Sequence, residues 1–156
     1  MFREVKRFKQ ALDKNECIEI LINSKRGVLS VIDDDYPYGM PINHYYNIDD
    51  GYLYFHSGKI GHRKDCLDKN KNVSYCVTGD GYKNDDWYLI YKSVIVFGKV
   101  EYIDDINMIE DIARKMSHKF TNNEDIIDDE VNRSLKATFM FRVKIEHITG
   151  KVVEEK

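Results

Sequence analysis

The run WYLIYKSVIVFGKVEYI at residues 87–103 restricts the fold more than any other part of the chain. It is too long and too dense in β-branched and aromatic side chains for an ordinary helix. Those side chains lose χ1 freedom against a preceding helical turn but pack well on a pleated surface. Gly98 inside the run predicts a bulge or bend, so the segment reads as one long curved strand, or two. A second strand lies near the end of the chain: Phe139, Phe141, Val143, Ile145 and His147 alternate with Met140, Arg142, Lys144, Glu146 and Ile148. A sheet built from such strands must close or pack on a second layer to protect its edges.

The other segments supply the remaining strands and a few helices. Asp13 followed by Glu16 reads as an N-cap with its reciprocal partner. Cys17, Ile18, Leu21 and Ile22 then share one face of a helix predicted over residues 14–25 and stopped by Gly27. GVLSVID and YGMPINHYYNI are β-rich runs split by the turn at residues 33–37, and Asp49-Asp50-Gly51 turns the chain into YLYFH. These three read as an antiparallel meander. VSYCVTG places Val73, Tyr75 and Val77 on one face of a further strand. Asp104-Asp105 opens a helix from Ile106 to about Lys119, with Ile109, Ile112, Ala113 and Met116 as its apolar stripe. NNEDIIDDEVN reads as a solvated acidic excursion with room for a short helix. Six or seven strands in hairpin order with peripheral helices give a mainly β fold, a barrel or sandwich. It is read as a single domain over residues 1–156, with 1–12 as an N-terminal extension.

Composition limits what such a domain does. A net charge of -3, a pI near 6 and 33% charged residues do not suit a nucleic-acid binder. Arg3, Lys6, Arg7 and Lys9 near the start are not followed by the apolar stretch of a signal peptide, and no run reaches membrane-spanning length, so a cytoplasmic protein is expected. Cys17, Cys66 and Cys76 lie far apart with no Cys-x-x-Cys spacing. They argue against a disulfide framework and a zinc site, and none of His44, His118 and His147 pairs with them at a zinc-like spacing, so no metal is expected. His44, His118 and His147 are assigned structural or surface roles.

Against this acidic background, residues 55–64, FHSGKIGHRK, bring together Lys59, His62, Arg63, Lys64 and the glycines at 58 and 61. The spacing matches neither G-x-x-x-x-G-K-[ST] nor G-x-G-x-x-G. The ingredients of an anion site are still present: glycines that let backbone N–H groups approach, a helix start, and positive charge. The stretch follows a strand rich in tyrosine and phenylalanine. A ligand with an aromatic body along the sheet and one phosphate in the loop fits, such as a flavin mononucleotide (FMN) or a pyridoxal-type ligand.

In their order along the chain, RGVLSV, YPYGMPINHYY, GYLYFHSGKIGHRKDCLDKNKNVSYCV, YKSVIVFGKVEYID and FRVKIEHITGK resemble the pyridoxamine 5′-phosphate oxidase-like split-barrel flavoproteins, most closely their nitroimidazole-resistance branch. The resemblance covers about residues 13–151. It implies a six-stranded antiparallel FMN-binding split barrel, assembled as a homodimer with the flavin between subunits. It assigns Pro41, Ile42 and Asn43 to the strand against the flavin ring. His56, Ser57, His62, Arg63 and Lys64 fall in the phosphate-binding strand and loop. Tyr91 and Ser93 fall in a segment that serves the cofactor from the partner chain. It also places His56 beside the flavin as the candidate catalytic residue, able to donate a proton to a bound electrophile. Trp87, Tyr88 and Tyr91 are candidates for stacking on the flavin but read first as core or interface packing. The chain ends six residues after Gly150, without the C-terminal segment that the oxidase proper uses on its substrate phosphate, so oxidation of pyridoxamine phosphate is not expected.

The expected function is that of an FMN-dependent oxidoreductase passing electrons to a small-molecule acceptor, nitro compounds included, with no nucleic-acid or membrane partner. The other readings are a non-catalytic FMN carrier or redox sensor, and a split barrel holding haem or a deazaflavin. No G-x-S-x-G elbow or metal constellation offers a cofactor-free chemistry.

Overall fold

A computed structural model describes residues 2–83 and 89–155. In chain order the elements are β1 (Ala11–Leu12), α1 (Lys14–Asn23), β2 (Arg26–Ile32), β3 (Pro37–Asn43), β4 (Tyr45–Tyr46) and β5 (Leu53–Gly58). There follow α2 (His62–Lys69), β6 (Asn72–Thr78), β7 (Tyr82–Lys83), β8 (Leu89–Ile103), α3 (Ile106–Ser117), α4 (Glu124–Ser134) and β9 (Thr138–Glu155). All nine strands join one sheet of order β3-β2-β6-β8-β9-β5-β4, with β1 on β9 and β7 on β8, and every pairing is antiparallel. The six longer strands are the split barrel expected from the sequence. β1, β4 and β7, two residues each, make up the difference in number.

β8 and β9 pair from Leu89↔Glu155 to Ile103↔Met140 and form the spine, with one register shift between Phe97 and Gly98. The bulge needs glycine: a Cβ on residue 98 would stand 2.3 Å from the Lys144 carbonyl oxygen. The sheet curls because its two end strands are consecutive in sequence. β3 and β4 are separated only by His44, so the chain steps from one edge of the sheet to the other through a single residue. The meander expected from β2, β3 and β5 is therefore corrected. β5 pairs with β4 and β9 instead of β3, because the break at His44 carries the chain across the split.

His44 is fully buried at that break. Its Nε2 lies 2.7 Å from the Leu21 carbonyl oxygen, which can only accept, so Nε2 carries the proton and Nδ1 accepts from the Tyr75 hydroxyl at 2.7 Å. Lys119 reaches in beside it and donates to the carbonyls of Ser24 and His44 at 2.6 and 2.8 Å. Burial, reinforced by the charge of Lys119, holds the His44 pKa down at about 4.

Two apolar layers account for strands that are hydrophobic on both faces. Inside the curl, Leu29, Phe55, Tyr75, Val96, Phe141 and Val143 share one core. On the other face of the same strands, Tyr54 and Met140 pack under Ile109, Ile112 and Met116 of α3. The capping box Asp13–Glu16 is present, but α1 ends at Asn23 and not at Gly27. Gly27 belongs to β2, where a Cβ would meet the Cys76 carbonyl oxygen at 2.5 Å and the Tyr75 ring at 2.6 Å. The acidic stretch 123–134 holds a full helix, α4, capped by Asn123 and buried through Ile127 and Val131. Among the described residues no helix is long and apolar enough to cross a membrane.

Candidate functional site

The end of β5, the glycine turn and the start of α2 face the outer end of β3 across a cleft of about 320 Å³, lined by Tyr38, Pro41, Ser57, Gly58, Arg63 and neighbouring residues. Gly61 caps α2 at φ +131, a backbone region that side-chain-bearing residues rarely enter, and among the described residues no side chain bonds to the first helical N–H groups. Those donors and the helix dipole are left for a ligand. Arg63 lines the cleft half-buried. Among the described residues it has no carboxylate partner, and burial holds its guanidinium below the ordinary range against the influence of Tyr38. Lys64 is already neutralised: its Nζ lies 2.6 Å from Asp68 and over the rings of Tyr102 and Phe139. His62 lines the same cleft, with its Nε2 2.9 Å from Asp33.

His56 precedes Ser57 on β5, so by strand alternation its side chain leaves the opposite face. It opens into a neighbouring cleft of about 220 Å³ with Asn43, Met116, Phe120, Glu130 and Leu135. Burial, and then the positive charge of Arg63, lower the pKa of His56, with Glu130 opposing. At neutral pH it is a neutral imidazole, able to offer one N–H and one lone pair. The alternation of β3 divides the next group. Ile42 points into the core, whereas Pro41 lines the anion cleft and Asn43 the His56 cleft, its Oδ1 accepting from Arg26 Nε at 2.8 Å. β3 is an edge strand and offers the backbone groups on its unpaired side.

The structure thus brings together Pro41, Ser57, His62, Arg63 and Lys64 in one cleft and Asn43 with His56 in the next. Tyr91 and Ser93 line neither; they lie on β8, Ser93 opposite Thr78 of β6. Trp87 and Tyr88 lie outside the described residues. Sequence reasoning passed over Glu130, since an acidic residue in an acidic helix carries no local signal. It also passed over the meeting of Asp33, His62 and Cys66, whose donor atoms lie within 4.8 Å of one another.

A family model described as pyridoxamine 5′-phosphate oxidase matches residues 13–152. The chain is similar in structure to a candidate 5-nitroimidazole antibiotic resistance protein from Bacteroides thetaiotaomicron, with TM-score 0.77 at 22% identity over 93% of this chain and 87% of that one. A FAD-binding protein from Mesorhizobium loti gives TM-score 0.67 at 23% identity over 92% and 97%. The flavocytochrome Anf3 from Azotobacter vinelandii gives 0.74 at 18% over 96% and 72%. At these identities the solved structures establish the fold. No match is found among curated proteins.

Proposed function

The chain belongs to the pyridoxamine 5′-phosphate oxidase family, and from that premise we propose that it is a single-domain, cytoplasmic FMN-dependent oxidoreductase that passes electrons to a small acceptor, nitro compounds among them. The observation that carries this reading is Arg63: a half-buried guanidinium, unpaired among the described residues, beside the uncapped N–H groups of α2. That cradle suits one phosphate, which favours FMN over FAD. Ser57 adds a hydroxyl, Lys64 and His62 sit at the rim, and the edge of β3 with Pro41, Ile42 and Asn43 takes the ring. The flavin supplies the redox chemistry, as cofactors do. The similar FAD-binding and nitroimidazole-resistance structures support the flavin and the acceptor class. The free thiols of Cys17, Cys66 and Cys76 suit a reducing compartment.

A homodimer is part of the reading. Pro41, Val28, Cys76 and Ile95 form one row across β3, β2, β6 and β8 on the outer face, and Val28 and Ile95 are 42% and 41% exposed. Pro41 belongs both to this row and to the anion cleft, so a second copy on that face would wall the cleft and bring Tyr91 and Ser93 to it. Sedimentation of the flavin-loaded protein is expected to give a dimer. A monomer that retains flavin contradicts the shared site.

The catalytic role proposed for His56 separates an enzyme from a carrier. His56 lines the cleft in which an acceptor would sit, beside Met116, Phe120 and Leu135, where its neutral ring offers the acceptor a hydrogen bond. His56→Ala is expected to keep its flavin, which Arg63 holds, and to slow reoxidation of reduced flavin by a nitroaromatic compound about 100-fold, with reoxidation by oxygen changing less. Flavin occupancy is measured first and the rate is taken per bound flavin. A variant that loses flavin with no separate effect on rate moves the protein to the carrier or sensor class.

A further inference from the structure

We propose that Asp33, His62 and Cys66 form a binding site for a zinc-type divalent cation at the edge of the anion cleft, with which it shares His62. His62 and Cys66 are four residues apart on consecutive turns of α2, so both side chains leave one face of the helix. Asp33, in the turn between β2 and β3, meets them there. His62 Nε2 lies 2.9 Å from Asp33 Oδ2 and 3.9 Å from Cys66 Sγ, and all three donor atoms fall within 4.8 Å of one another. Ligand atoms around a tetrahedral zinc ion, with bonds of about 2.0–2.3 Å, stand about 3.3–3.6 Å apart. The observed separations bracket that range, so displacements of less than about 1 Å seat the ion. One sulfur, one nitrogen and one oxygen do not suit magnesium or calcium, which take oxygen ligands, and do suit zinc. Three protein ligands leave the fourth position to water or a small ligand.

The charges favour the same occupant. Lys69, whose charge is felt at Asp33 and Cys66, is paired with Asp34 at 3.0 Å. The Cys66 thiol is buried within reach of Asp33 and His62. On binding, the ion takes the thiolate sulfur and the thiol proton passes to solvent, so a dication, one carboxylate and one thiolate leave the site neutral. The ion would also tie the β2–β3 turn to the first turn of α2, the element that carries Arg63.

Cobalt(II) is the probe, titrated into the purified protein after dialysis against a chelator and read as a difference spectrum. The expected result is a near-ultraviolet thiolate-to-cobalt charge-transfer band with the strong visible bands of a four-coordinate ion, saturating at one equivalent and displaced by zinc. Cys66→Ser abolishes the charge-transfer band, and Cys76→Ser, at the exposed thiol, leaves it. Asp33→Asn weakens binding about 100-fold or more, since even outer-sphere partners cost up to that much, whereas Asp34→Asn leaves it within a few-fold. If Cys66→Ser does not fold, the Asp33→Asn and Asp34→Asn pair decides. No charge-transfer band, a band that survives Cys66→Ser or disappears with Cys76→Ser, or equal effects at Asp33 and Asp34 overturns the site. The cobalt spectrum does not depend on flavin, so this proposal and the FMN reading stand or fall separately.

Discussion

Replacing Arg63 with alanine lowers the affinity for FMN by about 30- to 700-fold, about 2–4 kcal/mol, while Lys64→Ala costs less than about 1 kcal/mol. The asymmetry follows from what each cation is doing before a ligand arrives. Lys64 is held by Asp68 at 2.6 Å and lies 4.8 Å from the centre of the Tyr102 ring, so a phosphate must compete for a charge already in use. Arg63 is half-buried and without an acidic partner among the described residues, so its desolvation has been met without compensation until an anion supplies it. A planar guanidinium also presents two parallel donors to two phosphate oxygens, a geometry that lysine cannot reproduce, so Arg63→Lys is expected to recover only part of the loss. Flavin fluorescence quenching on titration checks the series. A larger effect at Lys64 than at Arg63 moves the phosphate to the other side of α2.

Acidification removes about 3 kcal/mol of folding stability through His44 alone between pH 7 and pH 4. The folded-state pKa is about 4, against an ordinary 6.5, because the ring is buried and Lys119 lies close by, while the hydrogen bond to the Leu21 carbonyl opposes them. The unfolded chain therefore binds the proton first as pH falls. The stability is fully present above about pH 6.5 and is lost progressively as pH approaches 4. His44→Gln isolates the term, since an amide offers one donor to Leu21 and one acceptor to Tyr75 but does not titrate. Urea unfolding of both proteins is expected to show wild type losing its advantage over His44→Gln by about 3 kcal/mol between pH 7 and pH 4. A difference independent of pH would mean that His44 does not enter the fold as a buried neutral ring.

The spine of the fold was legible because both faces of β8 and β9 are constrained. The barrel interior and the underside of α3 demand apolar side chains on alternate positions, as Phe141 and Met140 show, and Gly98 marked the bulge within one residue. What stayed hidden was non-local. YGMPINHYYNI is aromatic and β-branched throughout, so nothing in it announced that the strand breaks at His44 and that β5 pairs with β9, about ninety residues along the chain. α4 was underread for the opposite reason: Ile127 and Val131 are a thin apolar stripe in an acidic segment, and its burial comes from the surface it lands on. At the site, the glycines and cations of residues 58–64 drew attention to a stretch that lines one cleft. That Lys64 is engaged while Arg63 has no acidic partner among the described residues depends on Asp68 one helical turn on and on Tyr102 and Phe139, which only folding brings near. The approach of Asp33 to His62 and Cys66 depends likewise on the β2–β3 turn reaching α2.

The most direct test is the chromophore that the protein carries when purified from its native host or a flavin-replete one. The protein is denatured in acid, and the released small molecule is read by absorption spectrum and mass. FMN is the expected molecule, with up to one per chain. FAD at comparable occupancy would rule out the single-phosphate cradle at Arg63, and haem, a deazaflavin, or a protein that neither carries nor takes up any flavin would rule out an FMN-dependent protein.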